Sequence, residues 1–282
     1  MPDLLASYFT IAGDHPPSLA TGVSPHPLRA RIEAAGRAGY GGMGFYASDL
    51  AASRERLGWR DIRALLADNG IRHVEVECLR DWFADGEART ASDAERRLLL
   101  EAAGELGTFQ IKIGGGLPGR WSAGDMTEPF GVLCDDAARV GARVSLEMAP
   151  FSAVKDLAAA LAVVEGAGRP NGGLILDFWH LDRAGVSSAD IAALPPERLF
   201  GVELCDAPAH VEGTMLEDTW KRRRFCGEGA VDIAGYLAAV QRLGFSGPFG
   251  CEVISDAVRA MPLEDAARRS HDTAAAMFTS TV

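Results

Sequence analysis

Short apolar runs alternate along this chain with longer segments whose apolar residues recur at helical spacing. The clearest run, residues 174–176, is wholly apolar and follows a glycine pair, which predicts a strand buried on both faces. Asn69-Gly70 and Gly107 end two of the longer segments and are typical helix stops. The predicted strands are residues 4–13, 40–46, 71–78, 108–113, 142–147, 174–176 and 199–204, with an eighth between Gly244 and Glu252.

The segments between the strands have helical spacing, and one of them has a clear start. Thr127 is its predicted N-cap, and Pro129 lies in the first turn. Residues 207–225, after the seventh strand, are instead predicted to form an irregular, charged insertion. The predicted helices are residues 25–38, 47–69, 91–106, 127–141, 154–168, 187–194, 231–243 and 263–278.

Eight strands that alternate strictly with helices predict a closed (β/α)8 barrel. Alternation implies parallel strands, and eight such units are the number that closes. An open, doubly wound sheet is the alternative, but no Gly-x-Gly-x-x-Gly opens the first helix. We therefore expect an α/β protein with a single TIM-barrel domain over residues 1–282.

The composition narrows the range of partners. With 282 residues, 48% of them hydrophobic, the chain is long enough for one large domain with a sizeable core. Its formal net charge of −11 argues against nucleic acid or an anionic membrane as partner, because both would be repelled. The five cysteines are scattered and no apolar run reaches membrane length, so a cytoplasmic protein is expected. A monomer and a homo-oligomer are both compatible with these features.

Four predicted strands have a carboxylate at or next to their last residue. They are strands five to eight, which are neighbours around half of one barrel rim. Converging carboxylates repel each other in a low-dielectric mouth, and a divalent cation with oxygen ligands relieves that repulsion. The alternative is that each acid has only a local structural role, either as an N-cap or as the partner of an arginine. The candidate metal ligands are Glu147, Asp177, Glu203 and Glu252.

The motifs around these carboxylates resemble those of the xylose isomerase-like barrels, and within them the sugar phosphate isomerase/epimerase group. The resemblance covers essentially the whole chain and is specific in the order and spacing of the motifs. These motifs are Leu146-Glu147, Leu176-Asp-Phe-Trp-His180, Val202-Glu-Leu-Cys-Asp206, Cys226-Gly-Glu-Gly229 and Gly247-Pro-Phe-Gly-Cys-Glu252.

The resemblance implies one divalent metal ion, held by Glu, Asp, His and Glu at the four strand ends. Glu147, Asp177 and Glu252 match three of these positions. Glu203 stands where the family most often has histidine, so the donor set is all oxygen. Such a set favours Mn or Mg, with Co and Zn as the alternatives.

The resemblance also implies an enzyme that acts on a small carbohydrate-like carbonyl compound. The metal polarises the carbonyl, one carboxylate removes the adjacent proton and a second returns one, so that isomerisation or epimerisation proceeds through an enediolate. Glu147 and Glu252 match these two catalytic carboxylates.

Other residues near strand ends are candidates for substrate binding. His180 matches a family position that hydrogen-bonds substrate hydroxyls, although stacking against Trp179 is its alternative use. Lys112 ends strand four before a glycine triplet, and a surface lysine is the alternative there. Arg223 from the charged insertion and Glu77 from strand three are further candidates. The aromatic candidates for an apolar wall are Trp82, Trp121, Phe178 and Trp179.

Two other functions are alternatives to an isomerase, and the composition argues against a third. Loss of a β-hydroxyl after the same proton abstraction gives a dehydratase of the inosose or dehydroshikimate type. A decayed metal site would leave a binding subunit, which Glu203 in place of histidine would allow. An abasic-site nuclease of the endonuclease IV type needs a histidine-rich zinc cluster and a basic face, and six histidines with a net charge of −11 argue against it.

Overall fold

The barrel is described by a computed structural model that covers residues 1–18, 22–116 and 118–279. Eight parallel strands pair in chain order, and the last strand pairs with the first to close the barrel. The predicted (β/α)8 fold is therefore confirmed. The strands are β1 (Leu4–Ala6), β2 (Gly42–Tyr46), β3 (His73–Leu79), β4 (Gln110–Gly114), β5 (Arg143–Glu147), β6 (Gly172–Asp177), β7 (Leu199–Leu204) and β8 (Phe249–Cys251).

Helices follow the strands and cover the outside of the barrel. None of the described helices is both long enough and apolar enough to cross a membrane. The helices are α1 (Tyr8–Ile11), α2 (Leu28–Ala38), α3 (Ala47–Asp68), α4 (Gly86–Leu106), α5 (Ala123–Ala138), α6 (Leu157–Ala167), α7 (Phe178–Arg183), α8 (Ser188–Ala192), a short 3-10 helix (Pro196–Arg198), α9 (Met215–Lys221), α10 (Ile233–Arg242), α11 (Asp256–Arg259) and α12 (Leu263–Thr279).

The strands place apolar residues against the helices and polar residues inside the barrel. Alternate strand positions, such as Val144 and Leu146 in β5, belong to the main hydrophobic core. The residue between them, Ser145, donates its hydroxyl to Gln110 Oε1 at 2.7 Å, and Gln110 Nε2 in turn donates to Glu75. The apolar core therefore lies between barrel and helices, whereas the barrel interior contains a chain of buried polar side chains.

The first strand is shorter than the pattern of residues 4–13 predicts. It ends at Ala6, and the apolar residues that follow form the single turn of α1. Thr10 explains the change of direction, because its hydroxyl donates to the Cys251 carbonyl at 2.6 Å and accepts the Val253 N–H at 2.8 Å. These bonds fold the segment over the end of β8.

Two helix predictions are also corrected. Helix α5 begins four residues before the predicted N-cap Thr127, because Ser122 and Asp125 form a capping box. Pro129 consequently lies inside the helix and not in its first turn. The insertion at residues 207–225, predicted to be irregular, contains α9.

The tight contact between β6 and β7 gives a stability prediction at Gly173. A Cβ there would lie 2.5 Å from Phe200 Cδ2 and 2.8 Å from the Arg198 carbonyl oxygen, which is backbone and does not yield easily. We expect Gly173→Ala to lower the free energy of unfolding by about 1–3 kcal/mol. Gly104→Ala is the control, since its nearest neighbour is 3.6 Å away and it lies within α4. It should raise that free energy by about 0.5–1 kcal/mol. Equal stabilities in urea unfolding would contradict the packing described here.

Candidate metal and catalytic centre

The carboxylates of strands β5 to β8 meet at one rim of the barrel. Glu147 and Asp177 are the last residues of β5 and β6, Glu203 is next to last in β7, and Glu252 directly follows β8. One oxygen from each lies within 4.8 Å of those from the other three. The structure therefore brings together all four ligands predicted from the sequence.

Lys112, which points into this cluster from β4, is completely buried. Its Nζ lies 2.7 Å from Glu77 Oε2, 2.9 Å from Glu203 Oε1 and 2.8 Å from Glu252 Oε1. Burial disfavours the charged ammonium, but the surrounding carboxylates outweigh it and hold the pKa of Lys112 well above its usual value. The surface-lysine alternative is thus wrong, and Lys112 is a fixed positive charge inside the barrel.

Glu77 and Glu203 hold this ammonium in place. Glu203 accepts hydrogen bonds from Lys112 on both oxygens, at 2.9 and 3.1 Å, and from the Ser7 hydroxyl at 2.7 Å. Glu77 Oε1 accepts the Tyr8 backbone N–H at 3.1 Å, while its other oxygen faces Lys112. Both oxygens of each carboxylate are therefore engaged within the protein. A metal bound at Glu203 would share that carboxylate with Lys112.

Arg223 is the second buried cation of the cluster. Its Nη1 lies 2.5 Å from Asp177 Oδ2 and 3.0 Å from Glu252 Oε2, and its Nη2 donates to the Thr219 hydroxyl. Burial alone would raise the pKa of Glu252, but Lys112 and Arg223 together hold it well below its usual value. Glu252 is consequently an ionised carboxylate clamped between two cations.

Glu75 and Glu147 each have a carboxylate oxygen without a hydrogen-bond partner among the described residues, and of the two only Glu147 lines the cavity. Its Oε1 is buried without a hydrogen-bond partner among the described residues, and His180 Nε2 lies 3.9 Å away. Burial raises the pKa of Glu147 to about 8. His180 Nδ1 also has no partner in the described part of the chain, and burial holds the pKa of this imidazole well below its usual value. The cavity wall therefore contains one carboxylate and one neutral imidazole that each have an atom unpaired within the described residues.

Asp177 also fixes the position of His180. Its Oδ1 accepts the backbone N–H of Trp179 at 2.7 Å and that of His180 at 3.2 Å, which makes it the N-cap of α7. Asp177 is therefore both an N-cap, as the alternative interpretation of the strand-end acids expects, and a member of the carboxylate cluster. The same carboxylate turns the chain so that His180 reaches the cavity wall.

The residues present fit a divalent cation. The buried carboxylates of the barrel interior outnumber Lys112 and Arg223, so an added positive charge relieves repulsion. Glu147 Oε1 is a buried oxygen that no protein group within the described residues satisfies, so it is available as a metal ligand. An oxygen-rich set of this kind suits Mn or Mg. The carboxylates concerned are Glu75, Glu77, Glu147, Asp177, Glu203 and Glu252.

A cavity of about 760 Å³ opens above the cluster, which is large enough for a small-molecule substrate. Of the aromatic residues predicted to form its wall, only Trp121 does so. Trp82, Phe178 and Trp179 are fully buried in the hydrophobic core instead. The other aromatic lining residues were not predicted, although Tyr46 and Phe83 also lie at or just beyond strand ends. The aromatic side chains that line the cavity are Phe9, Tyr46, Phe83, Trp121, Phe151 and Trp220.

The arrangement of strands and carboxylates is that of a known family. Residues 32–277 match the family of xylose isomerase-like TIM barrels, and the chain belongs to that family. The resemblance expected from the motifs is thereby confirmed.

The relatives that this chain matches are enzymes. A 3-dehydroshikimate dehydratase from Pseudomonas aeruginosa is 32% identical over 256 residues, which cover 87% of this chain and 39% of that protein. An inosose isomerase from Halalkalibacterium halodurans is 26% identical over 143 residues, half of each chain. This chain thus spans about two fifths of the dehydratase that it matches.

Solved structures agree on the fold. The IolI protein, determined with a bound zinc atom, superposes with a TM-score of 0.85 over 99% of both chains at 18% identity. At that identity the likeness shows the barrel alone.

The burial of Lys112 among three carboxylates gives the prediction of this section. Lys112→Met leaves those carboxylates without their ammonium, so we expect the free energy of unfolding to fall by about 3–5 kcal/mol in metal-free buffer. Excess Mn²⁺ should recover more stability in this variant than in the parent protein, because it replaces the missing charge.

Lys221→Met is the matched control. Lys221 is exposed, and its Nζ lies 3.7 Å from Glu217 on the same helix, so its loss should cost no more than about 0.5 kcal/mol. Urea unfolding with a chelator measures both variants. Equal stability of the two would show that Lys112 does not compensate the cluster.

Proposed function

We propose that this chain is a metal-dependent lyase that dehydrates a small cyclic polyhydroxy carbonyl compound. The observation that supports a lyase is that the two candidate catalytic carboxylates differ in their protein partners. Glu147 lines the cavity and is held by no protein cation, and its Oε1 has no hydrogen-bond partner among the described residues, whereas Glu252 is held by Lys112 and Arg223. One free base is sufficient for dehydration, but an epimerase needs two that exchange protons on opposite faces of the substrate.

The relatives support the same choice. The dehydratase match extends over 87% of this chain at 32% identity, and the inosose isomerase match over 50% at 26%. Both names denote ring compounds with a carbonyl beside carbons that carry hydroxyl groups, so one chemistry, proton removal next to that carbonyl, is common to them.

The proposed metal ligands remain Glu147, Asp177, Glu203 and Glu252, with Mn or Mg favoured by their oxygen atoms. A divalent ion held there would polarise the substrate carbonyl and acidify the neighbouring C–H bond. The IolI barrel was determined with a bound zinc atom, which supports a divalent ion in this chain as well.

The protein groups supply the proton transfers and the orientation. The Glu147 carboxylate takes the proton from the carbon next to the carbonyl through the oxygen that it does not give to the ion, which leaves an enolate. The same carboxyl then gives that proton to the β-hydroxyl, which departs as water while the new carbon–carbon double bond forms. Lys112 and Arg223 stabilise the negative charge of the enolate, and His180 Nδ1 hydrogen-bonds a substrate hydroxyl.

An isomerase or epimerase is the second candidate. The inosose isomerase relatives favour it, since several of them match about half of this chain. In that mechanism Glu252 would act as the second proton-transfer group and would have to exchange one of its cation contacts for the substrate.

Glutamine variants distinguish the two mechanisms. We expect Glu147→Gln to fold normally and to lose turnover by about 10²–10⁴-fold, the usual cost of removing a general base. The assay uses dehydroshikimate, inososes and keto-sugars in deuterated water with Mn²⁺, and follows both product and label at the carbon next to the carbonyl. In a lyase, Glu252→Gln retains proton exchange, because Glu147 alone moves the proton.

The other outcomes are equally clear. If Glu252→Gln loses exchange in one direction and Glu147→Gln loses it in the other, the enzyme is an epimerase. Glu228→Gln is the control, because Glu228 is exposed in the loop after Arg223 and pairs with Arg269. Full turnover in both Glu147→Gln and Glu252→Gln would contradict the catalytic assignment. A parent protein that neither binds metal nor exchanges label would be a binding subunit.

A further inference from the structure

Among the described residues, three arginine or lysine side chains line the cavity, and they differ in their partners. Lys112 and Arg223 are each held by buried carboxylates. Arg80, the third, forms no ion pair with any carboxylate in the described part of the chain. Asp81 and Glu95 influence it electrostatically but do not pair with it. The Arg80 guanidinium therefore lies on the cavity wall without a carboxylate partner among the described residues, so it is available to pair with an anionic ligand.

The side chain of Arg80 is held in a defined position. It follows β3 directly, is half-buried, and donates Nη2 to the Tyr46 hydroxyl at 2.7 Å. Its guanidinium carbon also lies 6.0 Å from the centre of the Tyr46 ring. That ring stacks on Tyr8, with 5.5 Å between their centroids. A guanidinium fixed in this way presents its remaining N–H groups without a large loss of conformational freedom.

The surroundings of Arg80 suit an anion attached to an apolar ring. Phe9, Phe83 and Trp121 line the same cavity, so water is partly excluded from the guanidinium. A partly desolvated arginine recognises a carboxylate through two parallel hydrogen bonds, which a neutral hydroxyl cannot match in charge. Glu95 also lines the cavity, and burial raises the pKa of its carboxyl group.

We propose that Arg80 binds a carboxylate substituent of the substrate, so that the substrate is a cyclic keto acid and not a neutral keto-sugar or inosose. The inference rests on the proposed function for the position of the reacting carbonyl, which lies at the carboxylate cluster. Arg80 is then the specificity-determining residue at the other end of the substrate, where it selects for charge without taking part in proton transfer.

Binding of shikimate and of its methyl ester tests this assignment without any turnover. Neither probe has a ketone to enolise, and the two differ in the carboxylate charge. We expect the parent protein to prefer the acid, and Arg80→Gln to weaken acid binding by about 10- to 100-fold while ester binding is unchanged. The affinity of Arg80→Lys for the acid should lie between those of the parent and of Arg80→Gln, because lysine keeps the charge but not the paired donors. Calorimetry or tryptophan fluorescence measures the affinities of the three proteins for both probes.

Arg89→Gln is the matched control, because Arg89 lies on the helix that forms part of the cavity wall but pairs with Asp93 at 2.8 Å. It should bind both probes as the parent does. Equal weakening of acid and ester by Arg80→Gln, no preference for the acid in the parent, or no binding of the acid would overturn the assignment. If Arg80-dependent acid binding is found but no keto compound exchanges its proton, the carboxylate site stands and the proposed lyase activity fails.

Discussion

The burial of like charges inside the barrel is the constraint on which this structure depends. Six carboxylates face an interior in which water cannot screen them, and Lys112 reaches three of them with a single ammonium group. Arg223 compensates Asp177 and also Glu252. The two cations leave an excess of negative charge, and this excess is what a divalent ion would balance.

The fold makes such a cluster tolerable because its apolar core lies elsewhere. Outward-facing strand residues pack against the helices, and this layer supplies the hydrophobic stabilisation. The inward positions are then available for polar side chains, and Gly44 and Gly250 leave room for them. A Cβ at Gly44 would lie 2.9 Å from Glu77 Oε1, and one at Gly250 would lie 2.7 Å from Glu203 Cγ. The site is thus built into the barrel itself and not only into its loops.

The sequence was sufficient to predict the barrel and the convergence of Glu147, Asp177, Glu203 and Glu252, because the position of a residue on a parallel strand fixes the rim at which it emerges. It was not sufficient to predict their partners. Lys112 contacts strands that are not neighbours of its own, and such contacts across the interior leave no local pattern. The same is true of the short first strand, since the hydroxyl of Thr10 bonds to a segment far along the chain. Arg80 was missed because nothing in its neighbours indicates that it lacks a carboxylate partner.

The central claim, that the carboxylate cluster is a metal centre, is tested most directly by a crystal structure of the protein grown with Mn²⁺ and recorded at the manganese absorption edge. The account predicts one strong anomalous peak at the rim, bound by oxygen atoms of Glu147, Asp177 and Glu252, with Glu203 shared between the ion and Lys112. A map without a peak among these residues, in which Lys112 and Arg223 keep every carboxylate contact described here, would contradict it.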